Sequence, residues 1–453
     1  MKGKDLTQGS IIGNIMSFSL PYMLAYFLQI LYGLADLYVI GQYCGVDSTT
    51  AVSNGAQVMY MVTVVLIGLA MGTTVLTARA VGSKDSSRAR VTVGNTITMF
   101  AVIAIVLMAV LLSLRGWIVG VMDTPVEAVS GMEHYLTICF IGTPFIIAYN
   151  IIASIFRGLG DSRSPMYFVA VACVFNILLD YLFIGFFGLG AIGAALGTTL
   201  SQMVSVFFAI GAIRRHRGML DISFSDLRPR ADVIKNILKI GLPIAMQDGF
   251  IQVSFLAITV IANQRGLIDS AAVGIVEKFI GLVFIVPSAM LSTVSAISAQ
   301  NIGAGNMQRA KQTMRSAMMI TTGYGVACAV VLQFIPQMAV GIFTDNPQVL
   351  AQGADYLRGY VWDCVFAGLH FCFSGFFTAC GLSVISFVHN SISIVCARVP
   401  LAWLSSQLYP DTLYPMGLST CMGSVVSCVI CIAAYWWLNR KGKMQSQNIM
   451  SIK

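Results

Sequence analysis

Charge is scarce in this chain: only 10% of its 453 residues are Asp, Glu, Lys or Arg, while 57% are hydrophobic. A soluble protein of that length could not cover its surface with so few charges, so a water-facing globule is excluded. Histidine is scarcer still, and His134, His216, His370 and His389 are scattered without an H-E-x-x-H spacing. There is no G-x-S-x-G nucleophile turn and no G-x-x-x-x-G-K-[ST] phosphate loop. The glycine-rich stretches "RGLGDSRSP" and "NIGAGN" therefore read as cytoplasmic turns, and hydrolase or ATPase chemistry is excluded. No cofactor is expected. The 11 cysteines follow neither a metal nor a disulfide spacing and read as small buried hydrophobes.

What is present is apolar sequence in long runs. The mean hydropathy is +0.81, and runs of about 20 residues, each able to cross a hydrocarbon core ~30 Å thick, recur along the chain. They predict an all-α integral membrane protein with twelve spans: 15–42, 52–79, 92–114, 133–156, 165–187, 190–212, 239–263, 271–299, 317–342, 353–379, 384–407 and 414–438. The first run is long, carries Asp36 and has no small-residue cleavage site, so it reads as a retained span and not a signal peptide. Placing both termini in the cytoplasm puts 22 of the 27 basic residues inside, including the clusters at 79–90, 214–217, 309–315 and 440–443. Only Arg115, Arg265 and Arg358 fall outside, with Lys278 and Arg398 inside spans. The net charge of +8 then reflects anionic lipid on the inner leaflet, and nucleic acid is not needed to explain it.

The longest polar connection, Arg214 to Asn236, falls near the midpoint, and the sequence echoes itself across it at an offset of about 221 residues. "SLPYML" at Ser19 answers "GLPIAM" at Gly241, "ARAVGSKDSSRAR" at Ala78 answers "AQNIGAGNMQRAK" at Ala299, and "FRGLGDS" at Phe156 answers "FTACGLS" at Phe377. The chain thus divides into a six-span lobe at 1–213, a cytoplasmic linker at 214–238 and a second six-span lobe at 239–453. An even number of spans per half makes the repeats parallel, an arrangement that suits a carrier.

Polar residues at membrane depth mark the candidate site. An ionised Asp at the bilayer centre costs roughly 3 kcal/mol or more, so it must face protein, water or a cation. Asn176 and Asp180 in "VFNILLDYLF" are four apart and share one helical face; Gln29, Tyr32 and Asp36 form a similar stripe in the first span. Together the two acids could hold a proton, or sodium with help from Thr198 and Asn150. In the second half the equivalent of Asp36 is apolar, and the acids are Asp248, Glu277 and Asp363, candidates for accepting a cationic substrate. Glu277 could instead pair with its neighbour Lys278 or with another cation, Asp363 could lie near the outer interface, and Arg398 is expected to have an acidic partner. Pro21 can bend the first span where access to Asp36 would change.

The stretches "LPYML", "LADLYVIGQYCG", "ARAVGSKD", "FRGLGDSRSPM", "NILLDYLFI" and "GAALGTTLSQ", in this order over nearly the whole chain, resemble the multidrug and toxic compound extrusion (MATE) family, nearer its DinF-like prokaryotic branch. The resemblance implies a V-shaped pair of lobes around a central cleft in the prokaryotic cytoplasmic membrane. It implies export of amphipathic, often cationic small molecules in exchange for protons or sodium. The family's cation site then falls on Asp36, Asn176, Asp180 and Thr198, with Gln29, Tyr32, Asn150 and Pro21 on associated positions. The expected partners are small-molecule substrates and the lipid bilayer, with the chain acting as a monomer. The alternative with a similar double-bundle plan is a flippase of lipid-linked precursors, which would want a basic cavity for pyrophosphate.

Overall fold

The computed structural model describes residues 5–215, 222–442 and 444; Lys2, Lys4, His216, Arg217, Lys443 and Lys453, and with them part of the linker, lie outside the described residues. All regular structure among the described residues is helical. In chain order the helices are α1 (Ile11–Tyr43), α2 (Val46–Gly82), α3 (Ser86–Val121), α4 (Val126–Gly158), α5 (Arg163–Asp180), α6 (Gly190–Arg215), α7 (Ala231–Gln264) and α8 (Leu267–Val283). They continue as α9 (Ile285–Gly303), α10 (Met307–Phe334), α11 (Pro336–Gly341), α12 (Pro347–Tyr360), α13 (Asp363–Ala379), α14 (Ser383–Ser393), α15 (Val399–Leu408) and α16 (Tyr414–Arg440). A π-helical turn, Tyr181–Phe186, follows α5, and another, Ile394–Arg398, joins α14 to α15.

Ten helical segments are long and apolar enough to cross a bilayer alone, and two bent pairs complete twelve spans. The pairs are α8 with α9, bent by 40°, and α12 with α13, bent by 41°. The first break falls at Phe284, where Pro287 cannot donate to the Val283 carbonyl four residues before it and that carbonyl accepts from the Tyr324 hydroxyl instead (3.1 Å); the second, at Val361 and Trp362, has no proline beside it. By contrast α1 and α7 run unbroken through Pro21 and Pro243.

Each helix solves the membrane problem by facing. On α1, Leu20, Leu24, Phe27, Leu31, Leu34 and Tyr38 form an exposed stripe that lipid can solvate, while Tyr22, Ala25, Asp36 and Val39 turn inward. Hydroxyls on inward faces bond back to their own helix, as Thr96 does to the Thr92 carbonyl (2.8 Å) and Thr378 to that of Ser374 (2.7 Å). Where backbones cross closely, glycine provides the room. Gly359 of α12 and Gly417 of α16 face each other's helices, and a Cβ on either would strike backbone atoms of the other.

By contact the chain forms two units, Leu20–Leu238 in one and Leu6–Ser19 with Lys239–Lys453 in the other. In the first, α4 packs against α2, α3 and α6, and α5 against α6; in the second, α13 packs against α9, α10 and α16. The division cuts α1. Ahead of it, Leu6 is buried, its N–H donates to Gln300 Oε1 (3.1 Å), and its carbonyl accepts from Asn301 Nδ2 (3.3 Å). Arg309 adds guanidinium bonds to the carbonyls of Gln8 (3.0 Å) and Gly9 (2.7 Å). The start of α1 therefore belongs to the second unit, and its Asp36 end to the first.

The described part of the linker is pinned to α3. Thr98 Oγ1 donates to the Leu227 carbonyl (2.7 Å), and Asn95 Oδ1 accepts from the Arg230 N–H (2.6 Å). Gly94 lets the Asp226 carbonyl lie against its bare Cα. We predict that Gly94→Leu destabilises the protein by about 1–3 kcal/mol through overpacking and frees residues 222–230 for proteolysis. Gly116→Leu on the same helix, with nothing within 4 Å, should do neither. Thermal unfolding and limited proteolysis in detergent check both.

Candidate cation site

The site begins with periodicity on α5. Val169, Cys173, Asn176 and Asp180 lie on its buried face, whereas Val174, Phe175 and Leu178 are exposed. Asn176 is 1% and Asp180 0% exposed. Immediately after Asp180 the helix widens into the π turn Tyr181–Phe186. Such a turn inserts a residue and rotates the following side chains, and it is common beside functional groups. Across from Asp180 lies Gly197 of α6, whose bare Cα makes the space for the carboxylate: a Cβ there would collide with Asp180 Oδ1.

The next residue, Thr198, donates its hydroxyl to Asp36 Oδ2 at 3.2 Å. Asp36 is 5% exposed, and the side chains of Asp180 and Asn176 lie within its reach. Tyr32, one turn earlier on α1, also faces this acid, with Tyr135, Cys139 and Cys173 completing the walls. Asp36 Oδ1, both oxygens of Asp180 and both amide atoms of Asn176 carry no hydrogen bond among the described residues. Nor does a Lys or Arg form an ion pair with either acid there. The result is a knot of oxygen acceptors with one hydroxyl donor. Two buried carboxylates so close need a counter-charge, and a hard cation or a proton suits this donor set.

The remaining candidates of the first unit are arranged differently. Gln29 lies near the Tyr149 hydroxyl, which carries no hydrogen bond among the described residues, and Asn150 Nδ2 donates to the Ile146 carbonyl of its own helix (2.9 Å). Neither is brought to Asp36. Pro21 is flanked by Tyr22, whose ring lies under the Arg157 guanidinium at 4.5 Å. Gly197, Tyr149 and Arg157 were not singled out by sequence reasoning; the glycine's adjacency to Thr198 was the available signal.

In the second unit, the structure gathers Glu277 of α8 and Asp363 around Arg398, at the end of the second π turn. It does not bring Asp248 of α7 to them. Among the described residues Arg398 has no acid within ion-pair distance: its guanidinium donates to the Tyr360 hydroxyl (3.0 Å) and stacks over Phe255 at 4.7 Å. The expected direct acidic partner is thus replaced by a phenol and a ring, with the acids further out. Lys278 is exposed while Glu277 is not, so the two do not pair. Asp363 is buried, opening α13 at the bend of the tenth span.

The MatE family model matches this chain twice, at residues 21–182 and 243–404, two blocks of equal length that start 222 residues apart. The chain belongs to the MatE family. It is a membrane transporter, and not an enzyme. Among curated relatives, the "Probable multidrug resistance protein YpnP" of Bacillus subtilis is 27% identical over 412 residues, covering 90% of this chain and 92% of that one. The "Multidrug export protein MepA" of Staphylococcus aureus is 24% identical over 369 residues, 81% of each. Among solved structures, an outward-facing multidrug resistance MATE transporter of the MOP superfamily aligns with a TM-score of 0.89 at 22% identity over 99% of both chains. A MOP superfamily transporter from Pyrococcus furiosus, described as having a binding pocket of reversed polarity that suggests a different function, aligns at 0.88 and 21%, over 100% of this chain and 99% of that one.

Two substitutions separate room from bonding here. Gly197→Val should displace the Asp180 carboxylate and abolish cation-dependent protection of the purified protein against heat. Thr198→Ala, which removes one hydroxyl donor, should weaken apparent cation affinity only about five- to tenfold, as ~1 kcal/mol predicts. Thermal-shift titrations with sodium and with pH distinguish them.

Proposed function

We propose that this protein is a secondary active exporter of amphipathic, cationic small molecules, driven by antiport of protons or sodium across a prokaryotic cytoplasmic membrane. The observation that carries the reading is the cluster of Asp36, Asp180, Asn176 and Thr198, two enclosed acids with one directed hydroxyl and no basic partner among the described residues. In this reading a cation from outside neutralises Asp36 and Asp180, substrate affinity falls, and substrate binding from inside favours cation release. That reciprocity requires each ligand to prefer a different conformation. Structures of the same fold described as bent and straight, both at 21% identity, support such a change without specifying it here.

Glu277 and Asp363, with Asp248 nearer the start of the second repeat, are assigned to acceptance of cationic substrate, Pro21 to bending of α1, and Gln29, Tyr32 and Asn150 to support of that motion. The lobes 1–213 and 239–453, joined by 214–238, are the moving bodies of a monomer with cytoplasmic termini. A lipid-linked precursor flippase fits less well, because the buried Arg398 stands among acids and not in a basic cavity.

In proteoliposomes, Asp36→Asn and Asp180→Asn should each reduce gradient-driven export of a cationic dye by about tenfold or more, within the range of a coupling free energy of ~1–3 kcal/mol. Reconstitution efficiency should be unchanged. Export that persists at the wild-type rate in Asp36→Asn would refute the assignment.

A further inference from the structure

The second unit encloses two histidines that the cation cluster does not use. His370 of α13 is 3% exposed and His389 of α14 is 0%. Their rings meet edge to face, with centroids 5.6 Å apart. Every hydrogen-bond partner of the two rings among the described residues is a serine hydroxyl. His389 Nε2 contacts Ser374 Oγ (2.8 Å) and Nδ1 contacts Ser427 Oγ (3.2 Å), while His370 Nε2 contacts Ser424 Oγ (3.3 Å). His370 Nδ1 has no partner among the described residues.

These partners bear on charge state. A carbonyl or carboxylate beside a ring nitrogen fixes one tautomer, whereas a hydroxyl can donate or accept. Ser427 already donates its proton to the His389 carbonyl (3.4 Å), which leaves its oxygen to accept from Nδ1–H. Nε2 then accepts from Ser374, and a proton arriving at Nε2 requires only that this hydroxyl turn. At His370 the Ser424 hydroxyl also lies in reach of the Asp363 carboxyl. A proton leaving Asp363 can join Ser424 Oγ while the hydroxyl's own proton passes to His370 Nε2. The O–H bond of the acid breaks, an N–H bond forms, and the serine ends unchanged.

We propose that His370 and His389 form a proton-accepting pair within the second unit, a site for one proton separate from the acids of the first unit. Geometry limits the pair to one. Two imidazolium rings this close, with the Arg398 charge beside them, would repel. The groups beside the pair are Asp363 from α13, Cys428 from α16 and Arg398 from the π turn with Glu277 near it, and α7, whose Phe250 packs on Phe387 of α14, carries Asp248. The neighbouring α9 carries no titratable side chain, and α10 carries Arg309, Lys311 and Arg315 toward its start and, further along, Cys328 and Tyr324, whose hydroxyl goes to the Val283 carbonyl (3.1 Å). Taking up a proton beside Asp363 makes the charge of this acid, a candidate substrate acceptor, depend on the state of the pair.

Four histidines in the whole chain make the test direct. The full-length protein, labelled with ¹⁵N-histidine and held in lipid nanodiscs, is followed by ring-nitrogen NMR between about pH 5 and 8, the range in which His ordinarily changes charge. His370→Gln and His389→Gln assign the buried signals. The expected result is one buried ring passing from the neutral to the imidazolium pattern, with the midpoint moved by half a pH unit or more in Ser424→Ala. It should be retained in Asp36→Asn, which separates this proposal from the coupling assignment above. Buried rings that stay neutral throughout this range in the wild-type protein overturn the proposal, whatever the variants do.

Discussion

The enclosure of two carboxyl groups beside one another, Asp36 and Asp180, is the constraint to which the first unit is built. An acid removed from water and lipid must find a counter-charge or a donor, and here the one hydroxyl bond, from Thr198, goes to Asp36 and leaves Asp180 without a donor among the described residues. Gly197 exists as glycine because the Asp180 carboxylate occupies the place of its side chain. The π turn after Asp180 and the inward stripe of α1 follow from the same need to turn acids toward each other and away from lipid.

The second unit answers the cost of buried charge in another way. Its acids surround an internal cation, Arg398, which donates to the Tyr360 hydroxyl and stacks on the face of Phe255 while its Nε is left without a partner among the described residues. Repeats that share a helix plan have thus diverged in electrostatics. They differ in backbone too, since bent spans are found in the second repeat and none in the first. The bends lie beside the charged cluster: Phe284 marks one break and stacks edge-on with Tyr360 at the other, 6.4 Å between centroids.

Much of this was legible in the sequence because lipid imposes a simple rule. Apolar runs became helices, the internal echo became a repeated family match, and the four-residue spacing of Asn176 and Asp180 put them on one buried face as helical geometry demands. What escaped depends on tertiary neighbours. No proline marks the break at Trp362, no pattern announces that Leu6–Ser19 packs with the second unit, and the linker's polar residues conceal its docking on α3. Asn150 bonds to its own helix, as transmembrane amides often do, and Asp248 stands away from Arg398; spacing along one helix cannot reveal which acid a distant arginine selects. His370 and His389 looked scattered because the fold, not the chain, brings them together.

The central claim is that Asp36 and Asp180 hold one ion jointly. The most direct measurement is the number of cations released when a cationic substrate binds the purified protein in nanodiscs, with pH and sodium varied independently, for the wild type, Asp36→Asn, Asp180→Asn and the double variant. A shared site predicts that either single substitution removes the whole release assigned to the first unit and that the double variant removes no more. Independent partial losses that add up in the double variant would mean that each acid has its own ion, and would contradict the account.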